Sequence, residues 1–323
     1  WYSMNARKLP WRKKNNLNLP HPYFVFVSEY MLQQTTVNTV KNKFNEFILK
    51  WPSLNKLAQT SEPNILKFWS GLGYYSRARN LLKSAKIIKK NFKNKIPETY
   101  DELIQLPGIG DYTAKAILGI GYNKSVMPLD ANIERILVRL HAIDKPINKV
   151  KNKLKDLGKK FISDKYSSNL IQSFMDYGSE ICLPRNPKCN ICGINKFCQS
   201  YKKNLQQKIP LKLKKKTTKP IKYTRAYVIV NEKNEILVRS RPNKGMLASM
   251  LEVPNDVWVK NKKLLTTDQD IQKIKTKLQS KGSLEYSFSH FDLKTEIFYG
   301  NVKKLKLSKS NWIKKSSYSS SRM

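Results

Sequence analysis

The sequence predicts an all-α domain followed by an α+β domain. Three observations carry that reading: apolar residues at helical spacing through the first two-thirds, a lysine-rich break after Pro210, and β-branched runs beyond it. Leu81, Ala85 and Ile88 share one helical face. Ile133, Ile136, Leu137 and Leu140 recur at i, i+3, i+4 and i+7, with Glu134, Arg135 and Arg139 placed opposite, toward solvent. From Leu211 to Lys222 the chain holds Lys212, Lys214, Lys215, Lys216, Lys219, Pro220 and Lys222 and no acid, so it reads as a solvated linker. Ala226-Tyr227-Val228-Ile229-Val230, a polar turn over Glu232 to Glu235, and Ile236-Leu237-Val238 predict two paired strands, with another β-rich stretch at Thr295 to Tyr299. The boundaries read as 1–205 for the first domain, 206–222 for the linker, 223–308 for the second domain and 309–323 for a disordered serine-rich tail.

Charge narrows the class of partner. The 323 residues carry 62 Lys+Arg against 23 Asp+Glu, a formal net charge of +39. At 40% hydrophobic residues the chain can still build packed cores, which excludes a disordered basic tail. A charge of this size, dispersed along the chain, attracts polyanions, of which nucleic acid is the commonest. The abundance of Lys, Asn and Ile together is also what AT-biased coding produces, so part of the charge is compositional. No apolar run approaches the ~20 residues of a membrane span. Trp1-Tyr2-Ser3 opens no charged leader with an apolar core, which predicts a soluble cytoplasmic protein; the lack of an initial Met reads as an incomplete N-terminus.

Cys182, Cys189, Cys192 and Cys198 lie within 17 residues, spaced C-x6-C-x2-C-x5-C. In an intracellular protein such a cluster points to metal before disulfides. Zinc sites usually pair two short knuckles, whereas only Cys189 and Cys192 make one here. The wider loops suit a larger inorganic core, and four thiolates commonly hold a [4Fe–4S] cluster. Zinc and a pair of disulfides stay open on spacing alone. Arg185, Lys188 and Lys196 make the loop basic.

Leu106-Pro107-Gly108-Ile109-Gly110 separates a helical stretch, Tyr100 to Gln105, from another beginning near Asp111. Gly108 and Gly110 permit backbone conformations closed to other residues, and a helix start offers unpaired N–H groups. Such a hairpin can grip phosphate without reading bases. The plainer alternative is a glycine turn between helices.

Two carboxylates stand in different surroundings. Glu29 is the sole acid of the apolar run Tyr23 to Leu32, with Val25, Phe26 and Leu32 as its helical neighbours. Burial there raises its proton affinity and prepares it to donate near neutral pH. Asp130 opens the helix of Ile133 to Leu140, where the helix N-terminus favours the anion, so it is expected to stay ionised. Carboxyl groups with divergent affinities suit cleavage of a glycosidic bond through a cationic sugar, one protonating and the other stabilising charge. An N-cap and a partly buried helix acid are the structural alternatives.

At this point the sequence resembles a known family. Arg7-Lys8-Leu9-Pro10-Trp11-Arg12, Ser28-Glu29-Tyr30-Met31-Leu32-Gln33-Gln34-Thr35, Gly71-Leu72-Gly73-Tyr74-Tyr75-Ser76-Arg77-Ala78-Arg79-Asn80-Leu81, the hairpin, Leu129-Asp130-Ala131-Asn132 and the four cysteines are similar to the MutY-type adenine DNA glycosylases of the helix-hairpin-helix superfamily. The resemblance covers residues 1–200. It implies a monomeric, nucleoid-associated, bacterial-like enzyme that flips adenine out of duplex DNA, where it is mispaired with 8-oxoguanine or guanine, and hydrolyses its glycosidic bond. Carried over residue by residue, Glu29 is the acid that protonates adenine and later activates water, Asp130 the carboxylate that stabilises the sugar cation or its adduct, and Tyr112 and Asn132 their supports. Arg7, Trp11, Arg12 and Gln172 fall where the family lines its adenine pocket, although the spacer from Arg12 to Glu29 is about five residues longer than usual. Gln34, Thr35, Leu72 and Tyr74 match DNA-contacting or wedging positions, and Cys182, Cys189, Cys192 and Cys198 match the ligands of a [4Fe–4S] cluster. Arg7, Arg12, Arg77, Arg79 and the basic cysteine loop then fall on the DNA face.

The rival branch, endonuclease III, places an attacking lysine two residues after the second hairpin glycine, where this chain has Tyr112; Lys115 lies a turn further on. A monofunctional glycosylase is expected rather than a lyase acting on damaged pyrimidines. A zinc-containing, non-catalytic DNA-binding protein is the other alternative. Arg241 to Pro254 is similar to the family's Nudix-like domain, and Phe288-Ser289-His290 stands where the family reads 8-oxoguanine. Glu252 to Glu285 lacks the glutamate cluster a Nudix hydrolase needs for magnesium, so recognition without hydrolysis is expected.

Overall fold

A computed structural model describes residues 1–12, 18–211, 219–242, 245–246, 248, 250–288, 290–303 and 310–314. The chain divides into two compact units, Trp1–Leu213 and Lys214–Met323.

The first unit is helical throughout its described residues. Its helices are α1 (Tyr2–Asn5), α2 (Pro22–Leu32), α3 (Val37–Lys50), α4 (Leu54–Ala58), α5 (Glu62–Phe68), α6 (Ser76–Asn91), α7 (Tyr100–Ile104), α8 (Asp111–Ala116), α9 (Ala131–Leu140), α10 (Lys151–Lys159), α11 (Ser167–Glu180) and α12 (Gln199–Lys202). Helix α2 is apolar all round, so it must lie in the middle. Phe26, Val27, Tyr30 and Met31 are fully buried, and α3, α6, α8 and the wide turn Ile117–Gly121 pack on it. Pro22 sits at the helix start, where its missing N–H costs nothing, and His21 Nδ1 accepts from the Tyr23 amide at 3.2 Å.

The expected face of α9 needs correction. Ile133, Ile136 and Leu137 are buried, but so are Arg135 (5% exposed) and Arg139 (2% exposed). Charged groups can be buried there because backbone carbonyls accept their protons. Arg135 donates to Gly178 O (2.6 Å), Cys182 O (2.7 Å) and Asn132 Oδ1 (2.8 Å). Arg139 donates to Leu183 O (2.6 Å) and Ile209 O (2.8 Å). The helices α9 and α11 touch at Gly178, where a Cβ would lie 2.5 Å from Asn132 Cβ and 3.1 Å from Asn132 Cα.

The second unit is built on a mixed sheet of β1 (Ile221–Val230), β2 (Glu235–Ser240), β3 (Leu251–Glu252), β4 (Gln279–Ser287), β5 (Asp292–Asn301) and β6 (Ser310–Lys314), in the order β3-β2-β1-β5-β4 with β6 also on β2. Strands β1 and β5 run parallel, in register from Ile221↔Asp292 to Val230↔Asn301, and the other pairs are antiparallel. Tyr227, Ile229, Leu237 and Val302 form the core with Ile271 of the short helix α13 (Gln269–Lys273) and Ile274.

Two boundaries move. Residues 310–314, expected within a disordered tail, pair with β2 from Glu235↔Lys314 to Arg239↔Ser310, and Trp312 packs on the core. Residues 315–323 lie outside the described residues. The linker is shorter than 206–222: Ile209 is buried in the first unit's core, and Ile221 and Lys222 already belong to β1. Residues 212–218 of the lysine run lie outside the described residues.

Gly178→Ala is expected to lower stability by about 1–3 kcal/mol, because the new methyl group meets Asn132 where neither helix can yield cheaply. Urea unfolding of wild type and variant checks this, an unchanged midpoint being the contrary result.

Candidate active site

Glu29, Tyr112, Asp130 and Asn132 arrive from three helices. The apolar sequence of α2 forces Glu29 inward until it is 6% exposed. Tyr112, in the first turn of α8, hydrogen-bonds the Glu29 carboxyl group. Asp130 caps α9: its Oδ1 accepts from the Ile133 amide at 2.7 Å, and its Oδ2 accepts from Asn132 Nδ2 at 2.9 Å.

Loss of solvation pushes the Glu29 carboxyl up from 4.5 to about 8; the Tyr112 hydrogen bond opposes this and the nearby Asp130 charge adds to it. At neutral pH Glu29 therefore holds a proton in a place where it can be given away. The phenol of Tyr112 is held far above its ordinary value by burial and by both carboxylates, so it stays a donor. At Asp130 burial acts against the helix cap. Loss of solvation raises its proton affinity and outweighs the amide, Asn132 and Arg135 interactions that lower it. The helix cap is present, but it compensates burial only in part.

A second polar cluster joins α11 to the N-terminal segment. Asp176, with its side chain fully enclosed, pairs with Arg7 Nε at 2.5 Å and with Arg12 Nη1 at 2.6 Å, and its Oδ2 accepts from the Arg7 amide at 3.0 Å. These pairings hold the Asp176 carboxyl below its ordinary range despite its burial. Trp11 is buried edge-on against Phe44, 5.5 Å between ring centres. Gln172, 3% exposed, donates from Nε2 to Ser168 O and Oγ, both at 3.1 Å, while its buried Oε1 has no hydrogen-bond partner. Ser168, Gln172 and Asp176 recur every four residues along α11. That polar stripe was a legible signal for Asp176, and the i, i+4 pair Arg135 and Arg139 was its counterpart on α9.

The hairpin sits against α2 and α6. Gly108 has φ +81°, and a Cβ there would lie 2.9 Å from Asn80 Cβ and 3.0 Å from Tyr30 Cε1, so no other residue fits. Tyr30 and Ser84 hydroxyls both donate to Pro107 O, and Gln33 Nε2 donates to Gly108 O at 3.2 Å. Gly110 caps α8 in an extended conformation. Gln34 is exposed, Thr35 half-buried, and Tyr74 46% exposed with φ +46°. Leu72 is 6% exposed and part of the core, in a loop whose carbonyls bind Arg77. That guanidinium donates to Met31 O (2.6 Å), Leu72 O (2.7 Å), Gly73 O (2.9 Å) and Tyr30 O (3.1 Å). Arg79 pairs with Glu62 at 2.8 Å. All four arginines expected on a DNA face are thus engaged within the protein: Arg7 and Arg12 on Asp176, Arg77 on carbonyls, Arg79 on Glu62. Lys115 turns to Asp111, 2.8 Å away, while Tyr112 takes the place beside Glu29.

The four cysteine side chains line one pocket together with Ile136 and Arg139. Among the described residues no three Cys, His, Asp or Glu side chains converge closely enough for a single metal ion. Donors nonetheless point at the sulfurs: Arg139 Nη1 to Cys182 Sγ at 3.3 Å and Tyr177 OH to Cys192 Sγ at 3.2 Å. Burial and the neighbouring thiols push the Cys189 thiol up. Four sulfurs around a shared space, with cationic and hydroxyl donors behind them, make a donor set that fits a thiolate-held inorganic cluster.

In the second unit, Phe288 belongs to an aromatic group with Tyr286, Trp258 and Phe291, at 4.7, 5.9 and 5.0 Å between ring centres. Lys219 Nζ donates to Phe288 O at 2.9 Å, and His290 is exposed. Ser289 lies outside the described residues, as do Asn243, Lys244, Leu247 and Ser249 of the Nudix-like stretch. Glu252 pairs with Arg239 and Arg241. No helix among the described residues is long and apolar enough to cross a membrane.

Residues 27–160 match the family model described as HhH-GPD superfamily base excision DNA repair protein, and residues 225–322 match a NUDIX domain. Adenine DNA glycosylase of Buchnera aphidicola subsp. Schizaphis graminum (strain Sg) is 38% identical over 298 residues, covering 91% of this chain and 83% of its own. That of Buchnera aphidicola subsp. Baizongia pistaciae (strain Bp) is 38% identical over 317 residues, covering 96% and 87%. Among solved structures, a thermostable thymine-DNA glycosylase superposes with TM-score 0.56 at 26% identity, over 62% of this chain and 92% of that one.

The Glu29 carboxyl binds a proton more tightly folded than unfolded, so its contribution favours folding below pH 4.5 and is progressively lost as pH rises toward 8. Glu29→Gln removes that dependence. The variant should gain about 4–5 kcal/mol over wild type between pH 4 and pH 9 in urea unfolding. Parallel stability curves would contradict the burial of this acid.

Proposed function

The chain belongs to the adenine DNA glycosylases, and from that premise we propose that it removes adenine mispaired with 8-oxoguanine or guanine from duplex DNA, as a monofunctional base-excision-repair glycosylase. The single observation that carries the chemistry is the meeting of a protonated, desolvated Glu29 with Tyr112 and Asp130. A glycosidic bond inside the base stack is unreachable, so the adenine must first be flipped out. Exposed Tyr74, on a left-handed backbone held by Arg77, has the size to fill the gap it leaves.

Glu29 delivers its proton to a ring nitrogen of adenine, which turns the base into a neutral leaving group. Positive charge develops on the sugar, and the Asp130 carboxylate, oriented by the Ile133 amide and Asn132, stabilises it. Glu29, now an anion, takes a proton from the water that attacks the sugar. Gln172 offers an unpaired buried carbonyl oxygen suited to the exocyclic amine of adenine, and Arg7 and Arg12 are tied to Asp176, one turn further along the same helix. The placement of Tyr112, with Lys115 turned to Asp111, supports hydrolysis without a lysine adduct.

The hairpin Gly108 to Gly110 and exposed Gln34 hold the DNA backbone, and the loop of Phe288, Ser289 and His290 reads the 8-oxoguanine. Cys182, Cys189, Cys192 and Cys198 hold a [4Fe–4S] cluster. When bound, it supplies a covalent brace for a loop with little apolar core of its own. The protein acts as a monomer on nucleoid DNA in the cytoplasm.

Single-turnover incubation with an 8-oxoguanine:adenine duplex is expected to release adenine, with strand cleavage only after alkali. Glu29→Gln should slow release by about 10²- to 10⁴-fold. Asp130→Asn should slow it strongly while binding persists. The wild-type rate should fall as pH rises above about 8, where Glu29 loses its proton. Release undiminished in Glu29→Gln, or borohydride trapping of wild type on a damaged-pyrimidine duplex, would overturn the assignment.

For the cysteine site, purified protein should contain iron and sulfide and absorb in the visible range. A colourless, zinc-only preparation excludes the cluster.

A further inference from the structure

The hydroxyl of Tyr177 occupies an unusual place. Tyr177 lies near the end of α11, and its side chain reaches across to the cysteine loop. Its own proton goes to Cys192 Sγ at 3.2 Å. The ring is set edge-on against Trp1, 5.0 Å between ring centres at 75°. The hydroxyl is thus a donor aimed at the sulfur, independent of the Trp1 contact of the ring. A second side-chain donor to a cysteine sulfur, Arg139, reaches Cys182 from α9, so the sulfurs of Cys182 and Cys192 are served from different helices.

We propose that Tyr177 is a positioning residue of the cysteine-held group, whose O–H···Sγ bond draws electron density from the Cys192 thiolate. This inference rests on the iron–sulfur reading given above. A hydrogen bond to a ligating thiolate lowers the energy of the sulfur lone pairs and makes the ligand a weaker electron donor to iron; it also ties the loop at Cys192 to α11.

The test compares the visible sulfur-to-iron charge-transfer absorption and the rate of iron release to a chelator in full-length protein. In Tyr177→Phe the ring and its Trp1 contact remain and the proton is lost. The band should move to longer wavelength, and release should quicken roughly tenfold, in line with the loss of a ligand-orienting contact. Site-specific 3-fluorotyrosine at 177, a stronger donor of the same shape, should move the band the other way. Trp1→Ala, which loosens packing and keeps the hydroxyl, should leave the band in place.

A band that stays put in both Tyr177→Phe and the fluorinated protein overturns the proposal, as does an equal shift in Trp1→Ala. Should Tyr177→Phe retain no iron, the fluorinated protein decides alone. Wild type that binds zinc and no iron marks failure of the cluster reading itself, before Tyr177 is tested.

Discussion

The first unit depends on the crossing of α9 over α11. Gly178 brings the two helices to the distance at which Arg135 can donate at once to Gly178 O, Cys182 O and Asn132 Oδ1. An unpaired guanidinium in that position would cost several kcal/mol, and each carbonyl left without it about 1–3 kcal/mol more. The arrangement is therefore satisfied as a whole or not at all. Because Asp130 opens α9 and Cys182 follows α11, the same crossing fixes a candidate catalytic carboxylate and the first cysteine of the loop. Arg139, one turn further along α9, carries the constraint to Leu183 and to Ile209 at the end of the unit.

Burial then sets the chemistry of the acids. Glu29 is apolar-flanked on a helix that the whole unit packs around, so its proton affinity follows from the fold rather than from a strong local partner. The ties from Tyr30 and Ser84 to Pro107, and from Arg77 to the ends of α2 and the 72–74 loop, keep that helix in register with the hairpin. The hairpin and the 72–74 loop are in this way referred to the same helix that holds the acid. The net charge of +39 divides along similar lines. The arginines of the motifs are internal connectors whose planar forks match several carbonyls or a carboxylate, and the attraction to a polyanion is left mainly to lysines, point charges that remain hydrated.

The sequence by itself determined the division into a helical unit and a sheet-bearing one, the start of α8 after Gly110, the β1–β2 hairpin, the setting of Glu29 in an apolar helix, Asp130 at a helix start and the four cysteines in one loop, because period, glycine chemistry and an acid in an apolar run are local signals. Tertiary structure alone decided the rest. That Arg135 and Arg139 lie inside, that Asp176 receives Arg7 and Arg12, that Leu72 turns inward and that residues 310–314 close the sheet on β2 all depend on partners distant in the chain. The proton affinity of Asp130 shows the same division: its cap was readable from one helix, but the burial that outweighs the cap comes from elements folded over it. A sequence pattern reports what a residue can offer its immediate neighbours; solvation and long-range hydrogen bonds are set only when other segments close around it.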